Sequence, residues 1–214
     1  IFRAFFALPP MTRGDGTPVN AVFGFSSMLF KLMQDHADDD IQPGFDGRLY
    51  GVGWGLRMQQ EIVLGIGGVR ALRALGIEVD VYHFNEGHAL FAGFELMREK
   101  MENDGMSFDK AWAASKDQIV FTTHTPVEAA FDQFDPALLT KYAQPFIEEM
   151  GASTDEILAM GRKDPTNRDE PFNMAYLAMR GSCHVNGVAQ LHGEVSKRLF
   201  HVLFPGWPEG DVPV

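Results

Sequence analysis

Two short apolar runs, Ile77–Phe84 and Ile119–Thr123, constrain this chain more than any other feature. Each has the length and the β-branched and aromatic content of a buried strand. Each breaks off into polar residues, the first into Asn85-Glu86-Gly87-His88 and the second into His124-Thr125-Pro126. Between them lies a segment with helical spacing from His88 to Met101. A further helix is opened by Ser107 as N-cap, with Lys110 three residues on and so no capping box. Strands separated by helices form a mostly parallel sheet with covered faces, so the expected class is α/β. In such a sheet ligands bind beyond the carboxyl ends of the strands, which is where the polar residues stand.

The remaining chain supplies helices. Residues 57–75 have helical spacing, with Gly65, Gly67 and Gly68 inside the run and Gly76 as its stop. Glycine costs a helix about 1 kcal/mol, so these glycines are expected to permit close packing against a neighbouring strand. Residues 128–170 read as a polar, looser region, and two more helices are expected over 173–180 and 188–203. Asn186 or Gly187 is expected to take a positive φ before the last helix, whose buried stripe is read as Val188, Leu191, Val195 and Leu199. Near the start, Arg13-Gly14-Asp15-Gly16-Thr17-Pro18 is a turn, followed by a helical stretch from Ala21 to Gln34. The acidic run Asp38-Asp39-Asp40 and Gln42-Pro43-Gly44 mark a boundary, read as a linker over residues 37–46.

With 214 residues the chain can bury a substantial core. Its formal charge of −11 argues against general binding of nucleic acid, whose phosphates reward clustered Lys and Arg. The single cysteine, Cys183, rules out an intrachain disulfide and favours a reducing compartment. No apolar run approaches the length of a membrane span and no signal peptide opens the chain, so a cytoplasmic location without membrane contact is expected. Both ends read as interior sequence.

His83, Asn85, Glu86 and His88 mix imidazole, amide and carboxylate at a strand end. A metal is one reading, but the spacing lacks the helical His-Glu-x-x-His pattern, and His83 in a strand and His88 at a helix start need not converge. No metal is therefore expected. Donors and acceptors in this mixture suit an array of sugar hydroxyls. His124 ends the second strand among Thr122, Thr123 and Thr125, with Pro126 fixing the turn. On the last helix His192 sits beside the buried stripe and is the member with a candidate role. Gly65-Ile66-Gly67-Gly68 follows no strand and is no dinucleotide fingerprint.

Arg48-Leu49-Tyr50-Gly51, residues 60–72, Asn85-Glu86-Gly87-His88, Thr122-Thr123-His124-Thr125-Pro126-Val127 and residues 172–200 together resemble the α-glucan phosphorylase family, in the family's order, over about residues 46–214. The resemblance implies the amino-terminal half of a GT-B glycosyltransferase, an incomplete Rossmann-like sheet with its site in a cleft toward a second domain. It implies phosphorolysis of α-1,4-glucan or maltodextrin by inorganic phosphate, giving glucose 1-phosphate with retention, and leaves room for a homo-oligomeric parent. It implies pyridoxal phosphate in the parent enzyme, held by a lysine that this chain lacks. On this resemblance His124 is the catalytic-site histidine, and Asn85, Glu86, His88, Thr125 and His192 line the sugar site. Val52-Gly53-Trp54-Gly55 departs from the family's more polar stretch, and the family's early glycine-rich phosphate loop is absent. Residues 1–36 instead resemble the start of the 5′-nuclease domain of bacterial DNA polymerase I, without its cluster of metal-binding carboxylates, and read as a fused remnant. The chain alone is therefore expected to be inactive. The alternatives are another GT-B enzyme using a nucleotide sugar, or a DNA 5′-nuclease remnant.

Overall fold

The computed structural model describes residues 53–214 and, before them, the backbone of Met11–Thr12, Pro18–Val19 and Ala21–Val22. The expected linker over residues 37–46 lies outside the described residues, as do 23–34 of the expected first helix. The first three strands are β1 (Met11–Thr12), β2 (Pro18–Val19) and β3 (Ala21–Val22); β1 pairs antiparallel with β2, and residues 13–17 of the expected turn lie outside the described residues. Ala21 and Val22 are strand where a helix is expected. β3 pairs in parallel with the next strand, β4 (Val81–Asn85).

The main sheet runs β3-β4-β5-β8, with β5 at Ile119–Thr123 and β8 at His184–Gly187, all pairs parallel. β5 falls where its sequence places it, and β4 is the carboxyl half of the expected first strand. Register aligns Asn85, Thr122 and Asn186 across the three long strands. Successive side chains alternate between faces. Tyr82, Phe84, Ile119, Phe121 and Val185 therefore share one face, and both Ile119 and Phe121 are buried. The opposite face carries Val81, His83, Val120, Thr122, His184 and Asn186; of these only Thr122 is buried, and His184 and Asn186 are exposed. Among the described residues the sheet is parallel as expected, with its apolar side chains on one face and mostly polar ones on the other.

Helix α1 (Trp54–Ile62) continues through a π-helical turn, Val63–Gly67, into α2 (Gly68–Ala74), which stops at Gly76 with φ 67°. The glycine-rich run packs against the entry to a helix and not against a strand. A Cβ on Gly65 would lie 2.6 Å from the backbone N of Ala92 and 2.7 Å from Cβ of Phe91. Those residues open α3 (Ala92–Asp104), which is followed by α4 (Phe108–Lys116), where Ser107 holds the N-cap position without a side-chain capping hydrogen bond. α3 starts later than expected, because Glu86 to Phe91 form a turn that carries His88 ahead of the helix.

Two helices fill the region read as loop, α5 (Pro136–Met150) and α6 (Thr154–Gly161), with a two-residue pair of β6 (Gln133–Phe134) and β7 (Phe172–Asn173) beside them. Asp135 caps α5 through the N–H of Ala137, and Ser153 with Glu156 forms a capping box on α6. α7 (Met174–Gly181) is capped by Asn173, whose side chain accepts from the N–H groups of Ala175 and Tyr176. α8 (Gln190–Phe200) closes the order. Its inward residues are Ser196 and Phe200; Val188 and Leu191 are exposed, so the buried stripe lies one residue round from the expected one.

A large apolar cluster joins Met58, Phe91, Phe94, Phe121, Phe134, Leu139, Phe172 and Phe200. A smaller one joins Val69, Leu72, Tyr82, Leu96 and Ile119. No helix among the described residues is long and apolar enough to cross a membrane.

The contact at Gly65 gives a stability test. Gly65→Ala must push Cβ into the Phe91–Ala92 backbone and is expected to cost about 1–3 kcal/mol or more in chemical denaturation. Gly67→Ala meets only Val63 Cγ1 at 3.7 Å and is expected to be neutral or to stabilise by up to about 1 kcal/mol through helix propensity.

Candidate functional site

The carboxyl edge of β4, β5 and β8 gathers two hydrogen-bonded groups. In the first, His83 Nε2 lies 2.6 Å from Thr122 Oγ1, and that hydroxyl lies 3.0 Å from Asn186 Oδ1, so one row ties three strands together by side chains. Burial lowers the pKa of His83, which keeps the ring neutral in this row.

The second group is built on Glu86. This residue has φ 63°, the left-handed region that non-glycine residues rarely occupy, while Asn186 and Gly187 do not adopt positive φ. The backbone N–H of Glu86 donates to the Thr122 carbonyl at 2.9 Å. Its carboxylate accepts from the backbone N–H of His124 and from Thr125 Oγ1, the latter at 3.0 Å. The chain reversal at Glu86 thus turns the carboxylate across to the end of β5 and fixes the turn that presents His124. His124 itself is exposed, as is Asn85. The structure therefore brings together Glu86, His124 and Thr125, with Asn85 one residue before Glu86.

His88 goes elsewhere. Its Nδ1 lies 2.5 Å from Arg57 Nη2, 3.1 Å from Asp132 Oδ2 and 3.9 Å from Glu61 Oε1. Arg57 in turn pairs with Asp132 at 2.7 Å and, through Nε, with Glu61 Oε1 at 3.0 Å. His83 and His88 thus take separate partners, as their positions in the sequence suggest. Glu61, His88 and Asp132 could by distance alone hold a cation. The guanidinium of Arg57 sits among all three and supplies the positive charge itself. Burial first, then the neighbouring Asp132, raises the Glu61 pKa well above the ordinary carboxylate range, against the opposing pull of Arg57. Burial also works to raise Asp132, but hydrogen bonds from His88 and Arg57 outweigh it and lower its pKa to about 2. Burial thus favours the protonated form of Glu61 beside the Arg57–Asp132 ion pair, which lowers the charge the site must bury.

His192 packs under the end of β8: a Cβ on Gly187 would lie 2.8 Å from its Nδ1, so only glycine fits there. That nitrogen lies 3.3 Å from Ser196 Oγ, and Nε2 is buried with no hydrogen-bond partner among the described residues. No described contact joins His88 or His192 to the Glu86–His124 pair. Sequence reasoning missed Arg57, Glu61 and Asp132; the available signal was an Arg-x-x-x-Glu pair, four apart on one helix face, leading into an apolar run.

Residues 70–209 match the family model described as carbohydrate phosphorylase. Among curated relatives, a glycogen phosphorylase of Mycobacterium tuberculosis is 39% identical over 178 residues, covering 78% of this chain and 20% of that protein. A maltodextrin phosphorylase of Thermococcus litoralis is 42% identical over 158 residues, covering 74% of this chain and 18% of that protein. A glycogen phosphorylase of Aquifex aeolicus is 33% identical over 158 residues, covering 73% and 22%. The chain spans about a fifth of the length of the curated relatives it matches.

The Arg57 cluster predicts a pH profile. Glu61 has a folded pKa above its unfolded value, so stability falls as pH rises from about 4.5 through the folded value. Asp132 has a folded pKa below its unfolded value of 3.8, so stability is lost as pH falls toward about 2. Melting temperature against pH is expected to show both slopes. Glu61→Gln should remove the decline on the neutral side and keep the acid limb, and Asp132→Asn should flatten the acid limb. Arg57→Ala, which leaves the half-buried Asp132 carboxylate with His88 alone, is expected to cost about 1–3 kcal/mol.

Proposed function

The chain belongs to the carbohydrate phosphorylase family, and from that premise we propose that it is part of an α-glucan phosphorylase, the amino-terminal half of a GT-B arrangement over about residues 47–214. The reading assigns the parent protein phosphorolysis of α-1,4-glucan or maltodextrin by inorganic phosphate, with release of glucose 1-phosphate and retained configuration. The observation that carries it is the Glu86–His124–Thr125 group at the carboxyl edge of a parallel sheet, the ligand edge of such sheets.

In this reading Glu86 positions His124 by holding its backbone, and the exposed imidazole takes a hydrogen bond with a hydroxyl of the reacting glucosyl unit. Asn85 and Thr125 offer further donors and acceptors to neighbouring hydroxyls. His88 and His192 are assigned supporting places, His88 in the Arg57 cluster and His192 in the packing of α8 beneath Gly187. Segment 1–36 remains a proposed fused remnant of a polymerase 5′-nuclease, and 37–46 its junction.

Pyridoxal phosphate serves phosphorylases through its phosphate group, which assists proton transfer to the attacking phosphate. A cradle for it needs an amine for the aldehyde and cations for the phosphate. Asn85, Glu86, His124, Thr125 and Asn186 supply neither. The carboxyl edge of this chain does not fit the cofactor, which the reading assigns to a second domain of the parent.

Two outcomes test this. The 214-residue chain alone is expected to release no glucose 1-phosphate from maltoheptaose and phosphate; release by the pure chain rejects the division of labour. In a chain joined to its cofactor-binding second domain, His124→Ala is expected to lower kcat/KM about a hundredfold and to leave melting unchanged, because the side chain is exposed. Wild-type kcat/KM in a normally folded variant rejects the assignment.

A further inference from the structure

At the amino edge of β5 and β8, away from the carboxyl-edge group, a cavity of about 360 Å³ opens between α4, α7 and the segment after α8. Apolar walls come from Trp112, Met179, Val185, Leu203 and Phe204, and polar ones from Lys116, Arg180, Ser182 and Cys183. We propose that this cavity binds a small amphipathic organic anion, its acidic head between Lys116, Arg180 and Ser182 and its apolar body against Trp112 and Phe204.

Three observations carry this. The first is the cations. Lys116 is half-buried and makes no ion pair among the described residues. Arg180 donates to the backbone carbonyls of Met160 at 2.9 Å, of Lys163 at 3.0 Å and of Arg162, all neutral, so its charge is also unneutralised by contact. Two cations lining one cavity without a carboxylate in contact favour a bound anion. The second is Ser182, only 4% exposed, whose Oγ has no hydrogen-bond partner among the described residues. A buried hydroxyl without a partner costs free energy that an acceptor oxygen would return. The third is the apolar wall, held in place before any ligand arrives. A Cβ on Gly181 would lie 2.6 Å from Trp112 Cη2, so glycine there makes room for the indole, and Phe204 is braced by Trp207 with ring centroids 5.4 Å apart. Burial lowers the Arg180 pKa, against smaller opposing pulls from Tyr176 and Glu170, neither of which is in contact with the guanidinium. An aromatic body with a carboxylate or a phosphate ester head shares the required chemistry.

Cys183 lies on the same wall and is the chain's single cysteine, so its alkylation reports occupancy. Phenyl phosphate and phenylacetate are titrated into the full chain, with benzyl alcohol as the neutral probe and inorganic phosphate as the head alone; iodoacetamide reaction of Cys183 and calorimetric heats are followed. The expected result is saturable slowing of alkylation by one or both aromatic anions. Benzyl alcohol and inorganic phosphate should bind at least tenfold more weakly. Preference between the two anions identifies the head group. Lys116→Gln, at a half-buried helix end, is expected to weaken binding about tenfold with unchanged melting, and Ser182→Ala to weaken it less. Absence of saturable protection by either anion overturns the proposal. So does equal binding of benzyl alcohol, or unchanged affinity in a folded Lys116→Gln variant.

Discussion

Everything in the described fold hangs on β5 being hydrogen-bonded on both sides. Its partners come from distant parts of the chain, β4 before it and β8 after it, and the register sets Asn85, Thr122 and Asn186 level. A slip of one residue on β5 would exchange Phe121, fully buried in the large cluster, for Thr122 or Val120. The same slip would break the Thr122 hydroxyl's link between His83 and Asn186. Core burial on one face and a polar row on the other therefore enforce a single pairing. That pairing places the ends of β4 and β5 close enough for Glu86 to reach the backbone of His124.

A second constraint is electrostatic. Arg57 on α1 meets Asp132 from the segment before β6 and His88 from the turn before α3. These three parts of the chain share no strand pairing, and the guanidinium is where they converge. Its donors spread over several acceptors, which suits the planar fork of arginine and would not suit lysine. Burial favours the protonated form of Glu61, which lowers the charge that the cluster has to desolvate. Arg70 plays a related part nearer the surface, pairing with buried Glu95 of α3 and with Glu149 of α5, each at 3.0 Å.

The two buried-strand segments were legible because apolar runs of strand length flanked by polar residues have few other uses. The helical run over residues 57–75 was legible as well, and Gly76 marked its end. α5 and α6 were not: residues 128–170 read as a polar, looser region, and Pro136, Pro145 and Gly151 interrupt the helical spacing there. In the structure Pro136 opens α5 at its first turn, where its missing N–H costs nothing. Pro145 lies on the exposed side, where water can satisfy the freed carbonyl. Gly151 is the left-handed cap. Each of the three marks a helix boundary or an exposed helix face. β8 escaped for a different reason: four residues with alternating exposure carry too little hydrophobic pattern to be separated from the lead-in to α8.

At the candidate site the residue types were legible and the geometry was not. Nothing in the local sequence marks Glu86 for φ 63°, since Glu lacks the tolerance for that region that Gly, Asn or Asp shows. The conformation is paid for by what it gains. Its N–H closes on Thr122 and its carboxylate caps the backbone of His124 and the hydroxyl of Thr125. The next residue is Gly87, where a Cβ would lie 2.9 Å from Met174 Cβ, so the turn is pressed against α7 and cannot relax outward. A strained residue held by both a close-packed neighbour and its own hydrogen bonds is over-determined, and such residues persist where their orientation matters. The packing of Gly87 on α7 is thus part of what aims Glu86, and through Glu86 what aims His124.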